Sequence, residues 1–210
     1  KPATIWMYYG NPKATAESNS KDSFDANQVA VYHFGEKGAA AKDSSSYQHH
    51  ASNFVGTNES GLIGNAARFD GSASLSLPAS LNTTGGTGVT WSAWVKPVAP
   101  ESSVIYAQAG ANNLVIGLNN GAPYVSVNNV STPLSAQIAD NNWHHLVWCI
   151  SSTGVWTIYV DNVNQNISYT RNIPNATWSY RYIGSSPANE YFNGNMDDFR
   201  IYNRVLTERE

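Results

Sequence analysis

Charge is scarce in this chain. Asp, Glu, Lys and Arg make up 13% of its 210 residues, against about 25% in an ordinary soluble domain. The 12 Lys and Arg are scattered, with no basic run, and a polyanion needs a concentrated patch, which disfavours nucleic acid as a partner. Long apolar runs are missing as well. The longest, LVWCI around 146–150, falls far short of the ~20 residues of a spanning helix, so membrane insertion is excluded. Cysteine occurs once, which forbids an internal disulfide, and the HLVWCI setting of Cys149 is that of a buried, inert thiol. No signal peptide is visible, so export cannot be read from the sequence. Helical periodicity is nearly absent too. What the chain has instead is polarity without charge, with 24 Asn and 24 Ser. Its 12% aromatic residues and net charge of -3 argue against intrinsic disorder, because so many rings can bury much apolar surface. Five Asn-x-Ser/Thr sequons begin at Asn58, Asn82, Asn129, Asn166 and Asn175. Chance alone gives about four at this composition, so they carry no information on glycosylation.

Segments rich in β-branched and aromatic residues recur at short spacing between Gly, Asn, Ser and Pro clusters, the signature of an all-β sandwich. The clearest predicted strands are 89–97, 112–118, 122–127, 143–150, 155–161, 180–184 and 196–203. Asn-Gly within LNNGAP (118–123) predicts a type I′ hairpin turn, and SSTG (151–154) ends a second hairpin arm. Alternation puts Val89, Trp91, Ala93 and Val95 on one face and Thr90, Ser92, Trp94 and Lys96 on the other. Trp94 on the polar face is either a stacking platform for sugar or is covered by a neighbouring element. The first 28 residues differ. TIWMYYGNP reads as a strand running into a turn and KATAESNSKDSFDANQ as a polar connector, which predicts a boundary near residue 28 and a chain cut from a longer protein.

The blocks VAVYHFGE, KDSSSYQHHAS, GLIGNAARFDGSASLSLP, VTWSAWVKP, NNWHHLVWCISSTGVWTIYVDN, YIGSS and FNGNMDDFRIYNRVLTERE together resemble the laminin-G-like jelly-roll domains of the concanavalin A-like lectin and glucanase superfamily. Order and spacing agree from about residue 29 to the end. The resemblance implies an all-β, two-sheet antiparallel jelly-roll sandwich over 29–210, preceded by the end of another domain and a connector over 1–28. IWMYYGNPKAT resembles the final strand of a bacterial domain of unknown function that precedes such jelly rolls in envelope proteins, some fused to a TolQ/ExbB-type proton channel. Gly64 and Gly71 flank the ARFDG strand, where positive φ is available. Trp143 is expected at the sandwich edge with its indole N–H on a carbonyl. His144 and His145 are adjacent on a strand and point to opposite faces, so they cannot share a metal.

Glucanases of this superfamily place catalytic carboxylates at alternating positions of one strand, since retaining hydrolysis needs them about 5 to 5.5 Å apart. The Glu-x-Asp-x-Glu pattern by which they do so does not occur among the 15 acidic residues, and the expectation is a protein without enzyme activity. The resemblance implies a structural calcium ion where the Asp-Ser-Ser loop meets the late acidic pair, at Asp43 and Asp197. Alternation puts Asp197 with Phe199 and Ile201 on the core side, where a carboxylate needs a cation or hydrogen-bond donors. The loop departs from the family's glycine-rich pattern, with Ser46, Gln48 and Ala51 at positions where glycine is common, so an unchanged loop shape requires strained backbone. Sugar recognition pairs aromatic faces with amides and hydroxyls. The candidates are Trp178 and Tyr180, read as sharing one face of TWSYRYIG, with Tyr124, Asn112, Asn113 and Asn128 in nearby hairpins. The expected function is a glycan- or protein-binding module of a larger bacterial envelope protein, periplasmic or extracellular, contacting neighbouring domains. The alternative is a calcium-stabilised spacer.

Overall fold

The computed structural model describes residues 23–36, 40–54, 57–98, 100, 102–133 and 136–210. The N-terminal strand expected within TIWMYYGNP lies outside them, as does most of the 1–28 segment. Among the described residues fourteen strands form two antiparallel sheets. The larger has eight: β1 (Gln28–Tyr32), β2 (Thr57–Ser60), β3 (Asn65–Asp70), β5 (Val89–Pro97), β10 (His144–Ile150), β11 (Trp156–Val160), β12 (Val163–Asn164) and β14 (Asn193–Tyr202), in the order β12-β11-β10-β5-β14-β3-β2, with β1 also on β14. The smaller has the order β4-β13-β6-β7-β8-β9, made of β4 (Leu75–Ser76), β6 (Ser103–Gly110), β7 (Asn113–Asn119), β8 (Ala122–Val127), β9 (Val130–Pro133) and β13 (Trp178–Ile183).

The sheets are joined by the inward residues that alternation selects. Val89, Trp91, Ala93 and Val95 of β5 are all in the core, and Trp91 meets Trp156 of its own sheet at 5.8 Å and Tyr106 of the other at 6.0 Å. Offset ring pairs of this kind add about 0.5–1.5 kcal/mol each beyond their buried area. The hairpins follow turn chemistry. Asn120 and Gly121 both have positive φ, 50° and 79°, as a type I′ turn requires. Gly64 and Gly71 also have positive φ. It is Trp156, not Trp143, whose indole N–H donates to a carbonyl, that of Arg171 at 2.9 Å.

Two bulges decide where the functional side chains point. In β13 the register slips between Trp178, opposite Gly110, and Tyr180, opposite Ala109. In β14 it slips between Asp197, opposite Trp94, and Arg200, opposite Ser92, with Asp198 at φ 48°. A bulge inserts one residue and reverses which face the preceding residues take. At the second bulge β14 also changes neighbours. Met196 still pairs with Ala67 of β3, whereas Phe199 pairs with Tyr32 of β1.

At the rim, His144 pairs with Val95 on the core face and His145 with Trp94 on the outer face, as expected of adjacent strand residues. His144 lies between Asp161 at 2.7 Å and Asp140 at 3.1 Å. Burial opposes its charge, but the two carboxylates outweigh burial and its pKa is raised. Asp140 is held down to about 2 by Asn142 and His144. A His whose folded pKa is raised contributes stability fully present below the unfolded value of about 6.5 and lost as pH rises through the folded pKa. His144→Gln is therefore expected to lower the melting temperature more at about pH 5.5 than at about pH 8.5; equal losses measured at the two values would remove the charge from the account.

Candidate functional site

The outer face of the six-stranded sheet carries a groove of about 450 Å³. Tyr180 and Tyr182 alternate outward on β13, and their rings lie 6.0 Å apart at 17°. Tyr180 is 50% exposed. Tyr191 lines the same groove from the Ser185–Tyr191 loop, which is closed by a bridge between those two residues. Hydroxyls surround the rings: Ser74 and Ser76 come from the β4 strip, where Ser76 pairs with Tyr182, and Ser185 and Ser186 come from the loop. Ser186 is occupied, donating to Glu190 at 3.0 Å. Ser185 is only 4% exposed, and its hydroxyl has no protein partner among the described residues. Asn189 adds an amide, and no charged side chain lines the groove. Flat rings beside neutral hydroxyls and an amide suit the apolar face and hydroxyl rim of a sugar.

The two aspartates expected at a metal have other partners. Asp43 is 3% exposed. Its Oδ1 accepts the N–H groups of Val31 and Ser45, both at 2.8 Å, and its Oδ2 accepts the Ser45 hydroxyl at 2.7 Å and the His49 N–H at 2.8 Å. An ionised carboxylate has about four acceptor positions, so protein donors occupy them all. Asp197 stands opposite Trp94 on the outer face of the large sheet, not on the core side, because the bulge at Asp198 inverts the alternation. Its Oδ2 accepts the N–H groups of Leu62 at 2.9 Å and Ile63 at 3.3 Å in the β2–β3 turn. Burial raises its pKa against those donors. Asp198 binds His33 at 3.0 Å and Arg200 at 2.8 Å. The acidic pair thus ties the ends of two strands at the place where β14 changes neighbours. Among the described residues no group of three or more His, Cys, Asp or Glu could hold a metal ion, and the residues present fit hydrogen-bond donors rather than a shared calcium ion.

The Laminin_G_3 family model, described as the concanavalin A-like lectin/glucanases superfamily, matches residues 69–210. The chain belongs to that superfamily. No curated protein matches the sequence. Among solved structures, the binding domain of Paraclostridial Mosquitocidal Protein 1 aligns with a TM-score of 0.69 and 17% identity, over 90% of this chain and 51% of that one. Domain 4 of AbnA, a GH43 extracellular arabinanase from Geobacillus stearothermophilus, solved in complex with arabinotriose, aligns with a TM-score of 0.69 and 20% identity over 87% of this chain and 95% of that one. Trypanosoma rangeli sialidase, in complex with sialic acid, aligns with a TM-score of 0.65 and 16% identity, over 88% of this chain and 32% of that one. The chain thus spans about half of the mosquitocidal binding domain's chain and a third of the sialidase. Binding domains and an enzyme are both represented, and at these identities the likeness shows the fold alone. No helix among the described residues is long and apolar enough to cross a membrane, which says nothing of a β-barrel.

Within this concanavalin A-like sandwich the remaining sequence candidates divide. Trp178 is 2% exposed and belongs to the core, because the bulge after it turns it inward while Tyr180 turns outward. Tyr124 stands on the same outer face as the groove, opposite Gly117, half-buried, its pKa pushed up to about 12 by burial and by Glu190. Asn113 and Asn128 are used in turns. Asn128 Oδ1 accepts the Asn113 N–H at 3.1 Å, and the Asn113 side chain donates to Asn129 at 2.9 Å. The Asn112 carbonyl accepts the Gly110 N–H at 2.8 Å. None of these three Asn lines the groove. Trp94 is on the outer face as alternation predicts, half-buried against His145 with ring centroids 4.9 Å apart. Sequence reasoning missed Tyr182, Tyr191 and the serines.

Of the three loop positions that depart from glycine, Gln48 alone has positive φ, 54°. A non-glycine residue pays about 1–2 kcal/mol there, and Gln48 is exposed. Gln48→Gly is expected to raise stability by about 1 kcal/mol, less the entropy that glycine loses on folding. Urea unfolding checks it; a lower midpoint would show that any strain at this residue is smaller than the entropy glycine loses.

Proposed function

We propose that the domain is a non-catalytic carbohydrate-binding module of a larger bacterial protein, acting outside the cytoplasm, with the tyrosine groove of the six-stranded sheet as its binding surface. The observation that carries this is the near-parallel Tyr180–Tyr182 pair beside the unpartnered Ser185 hydroxyl. The absence of any acidic side chain in the groove lining favours binding over hydrolysis, since glycosidases work with a carboxyl pair. The lining also has no cation, which favours neutral glycans over sialylated or uronic ones. An envelope location and contacts with neighbouring domains belong to the same reading, with the arabinotriose-bound domain of an extracellular enzyme as its structural parallel.

Glycan-array binding followed by titration tests the reading. Tyr180→Ala is expected to weaken binding about tenfold or more, equivalent to about 1.4 kcal/mol, with the melting temperature nearly unchanged because Tyr180 is half exposed. Binding of no glycan would favour a spacer that holds adjacent domains, and release of reducing sugar would make the protein an enzyme. Calcium at Asp43 and Asp197 is a separate proposal, supported by the family resemblance. It requires donors to leave Asp43, and melting in EDTA against excess calcium tests it. A rise in calcium that Asp197→Ala abolishes would establish the ion; equal midpoints would dismiss it.

A further inference from the structure

The outer face of the eight-stranded sheet carries a second cleft, of about 480 Å³, within the range of small-molecule sites. Its floor follows from register. Tyr159 pairs with Val147, Val147 with Ser92, and Ser92 with Arg200, a single row across β11, β10, β5 and β14. At ~4.8 Å per strand, Tyr159 and Arg200 stand roughly 14 Å apart, with only Val147 and Ser92 between them. His145, packed on Trp94, lies toward one end. The C-terminal segment closes the other. Thr90 holds that segment, its hydroxyl donating to the Arg204 carbonyl at 2.8 Å and accepting the Leu206 N–H at 3.2 Å.

The polar groups on the cleft wall without a hydrogen-bond partner among the described residues include the Ser92 hydroxyl, in a residue 6% exposed, and the imidazole of His145. The Ser92 hydroxyl opens onto the cleft, so a ligand hydroxyl can take the place of water as its partner. Burial lowers the His145 pKa, leaving a neutral ring with one donor and one acceptor. The cleft's cation is already satisfied. Arg200 donates Nε to Asp198 at 3.1 Å and Nη2 at 2.8 Å. Glu210 is bound by Arg204 at 2.6 Å, and Glu208 adds a negative charge at the wall. An anionic ligand would meet Glu208 and an arginine whose charge Asp198 already matches. What is on offer is hydroxyl, imidazole and the Asn162 and Asn164 amides beside the rings of Tyr159 and Tyr202.

We propose that this cleft binds a neutral, hydroxyl-rich ring compound of mono- or disaccharide size, so that the sandwich holds one saccharide site on each outer face. The ligand class rests on the carbohydrate reading above, but the cleft shares no residue with the tyrosine groove. Two sites facing opposite ways let one domain bridge two glycan chains, with avidity that neither site supplies alone.

Backbone amide shifts in NMR titrations locate binding directly. The probes are arabinotriose, cellobiose and N-acetylglucosamine, with sialyllactose and choline as anionic and cationic controls. At least one neutral probe is expected to shift amides around Ser92, His145 and Tyr159. Ser92→Val and Tyr159→Ala are each expected to weaken that response about tenfold or more while leaving shifts near Tyr180 intact. Tyr159 is an outer-face residue, so its variant covers the case in which Ser92→Val does not fold. Shifts near Tyr180 alone would overturn the second site and leave the first standing. Shifts at Ser92 that persist in Tyr180→Ala would support the second site even if the tyrosine groove bound nothing. No response to any neutral probe, or a response in the cleft to a charged control only, would overturn the proposal.

Discussion

Trp178→Ala is expected to cost about 3–5 kcal/mol of stability, the range for deleting a large aromatic side chain from a core. On a domain of this size that lowers the melting temperature by on the order of 10 °C. The size follows from the bulge in β13. With Trp178 opposite Gly110 and Tyr180 opposite Ala109, Trp178 lies inside the sandwich at 2% exposure while Tyr180 lies outside at 50%. Its indole N–H has no partner in the core. Trp178→Phe removes that unpaired donor as well as some volume, so it should cost well under half as much as alanine. If Trp178 instead stacked on a sugar at the surface, the alanine variant would unfold within about 0.5 kcal/mol of wild type and lose glycan binding. Urea denaturation and glycan titration of the same two variants separate these outcomes.

The same bulge explains why sequence reading got the sheet right and this residue wrong. Alternation holds wherever a strand is paired without interruption. β5 runs from Val89 to Pro97 between β10 and β14, and its inward set of Val89, Trp91, Ala93 and Val95 is the one that period two selects. It fails where one residue is added, and a bulge leaves little trace in sequence. Asp198 left one, since Asp tolerates the left-handed region better than most residues and an acidic pair inside a strand has to be accommodated somewhere. Asn128 and Asn129 left another. Both have positive φ, 51° and 62°, so this pair is a hairpin turn like Asn120-Gly121 rather than a set of free amides. Of the tyrosine groove, Tyr180 alone was among the sequence candidates. The groove's serines at 74 and 76 reach Tyr182 only through the pairing of β4 with β13, more than 100 positions along the chain. β6 went unrecognised because its SVIYAQAG segment mixes small and polar residues with the apolar ones. The bulge between Val104 and Tyr106 places both Ile105 and Tyr106 in the core, against simple alternation.

Asp43→Ala is expected to be about as damaging, at roughly 3 kcal/mol or more, from the loss of its hydrogen bonds alone. The substitution leaves the N–H groups of Val31, Ser45 and His49 without their acceptor. All three residues are buried, and each unpaired donor costs about 1–3 kcal/mol unless water reaches it. The loss also cuts the join between the 43–49 loop and β1, whose Tyr32 forms an isolated bridge with Asp43 and donates its hydroxyl to the His49 carbonyl. That bridge anchors β1 at the point where it pairs with β14 through Tyr32 and Phe199, so the damage should spread to the Asp198–His33 ion pair. Asp43→Asn keeps one carbonyl acceptor but turns an N–H₂ group toward donors, and it should fall between wild type and alanine. Thermal melting of the three proteins, each in EDTA and in excess calcium, distinguishes the causes. Hydrogen bonding alone predicts the order wild type, Asn, Ala in both conditions, with the same gaps. A bound cation predicts that the gaps widen in calcium and shrink in EDTA, because a ligand that binds only the folded state stabilises it by mass action.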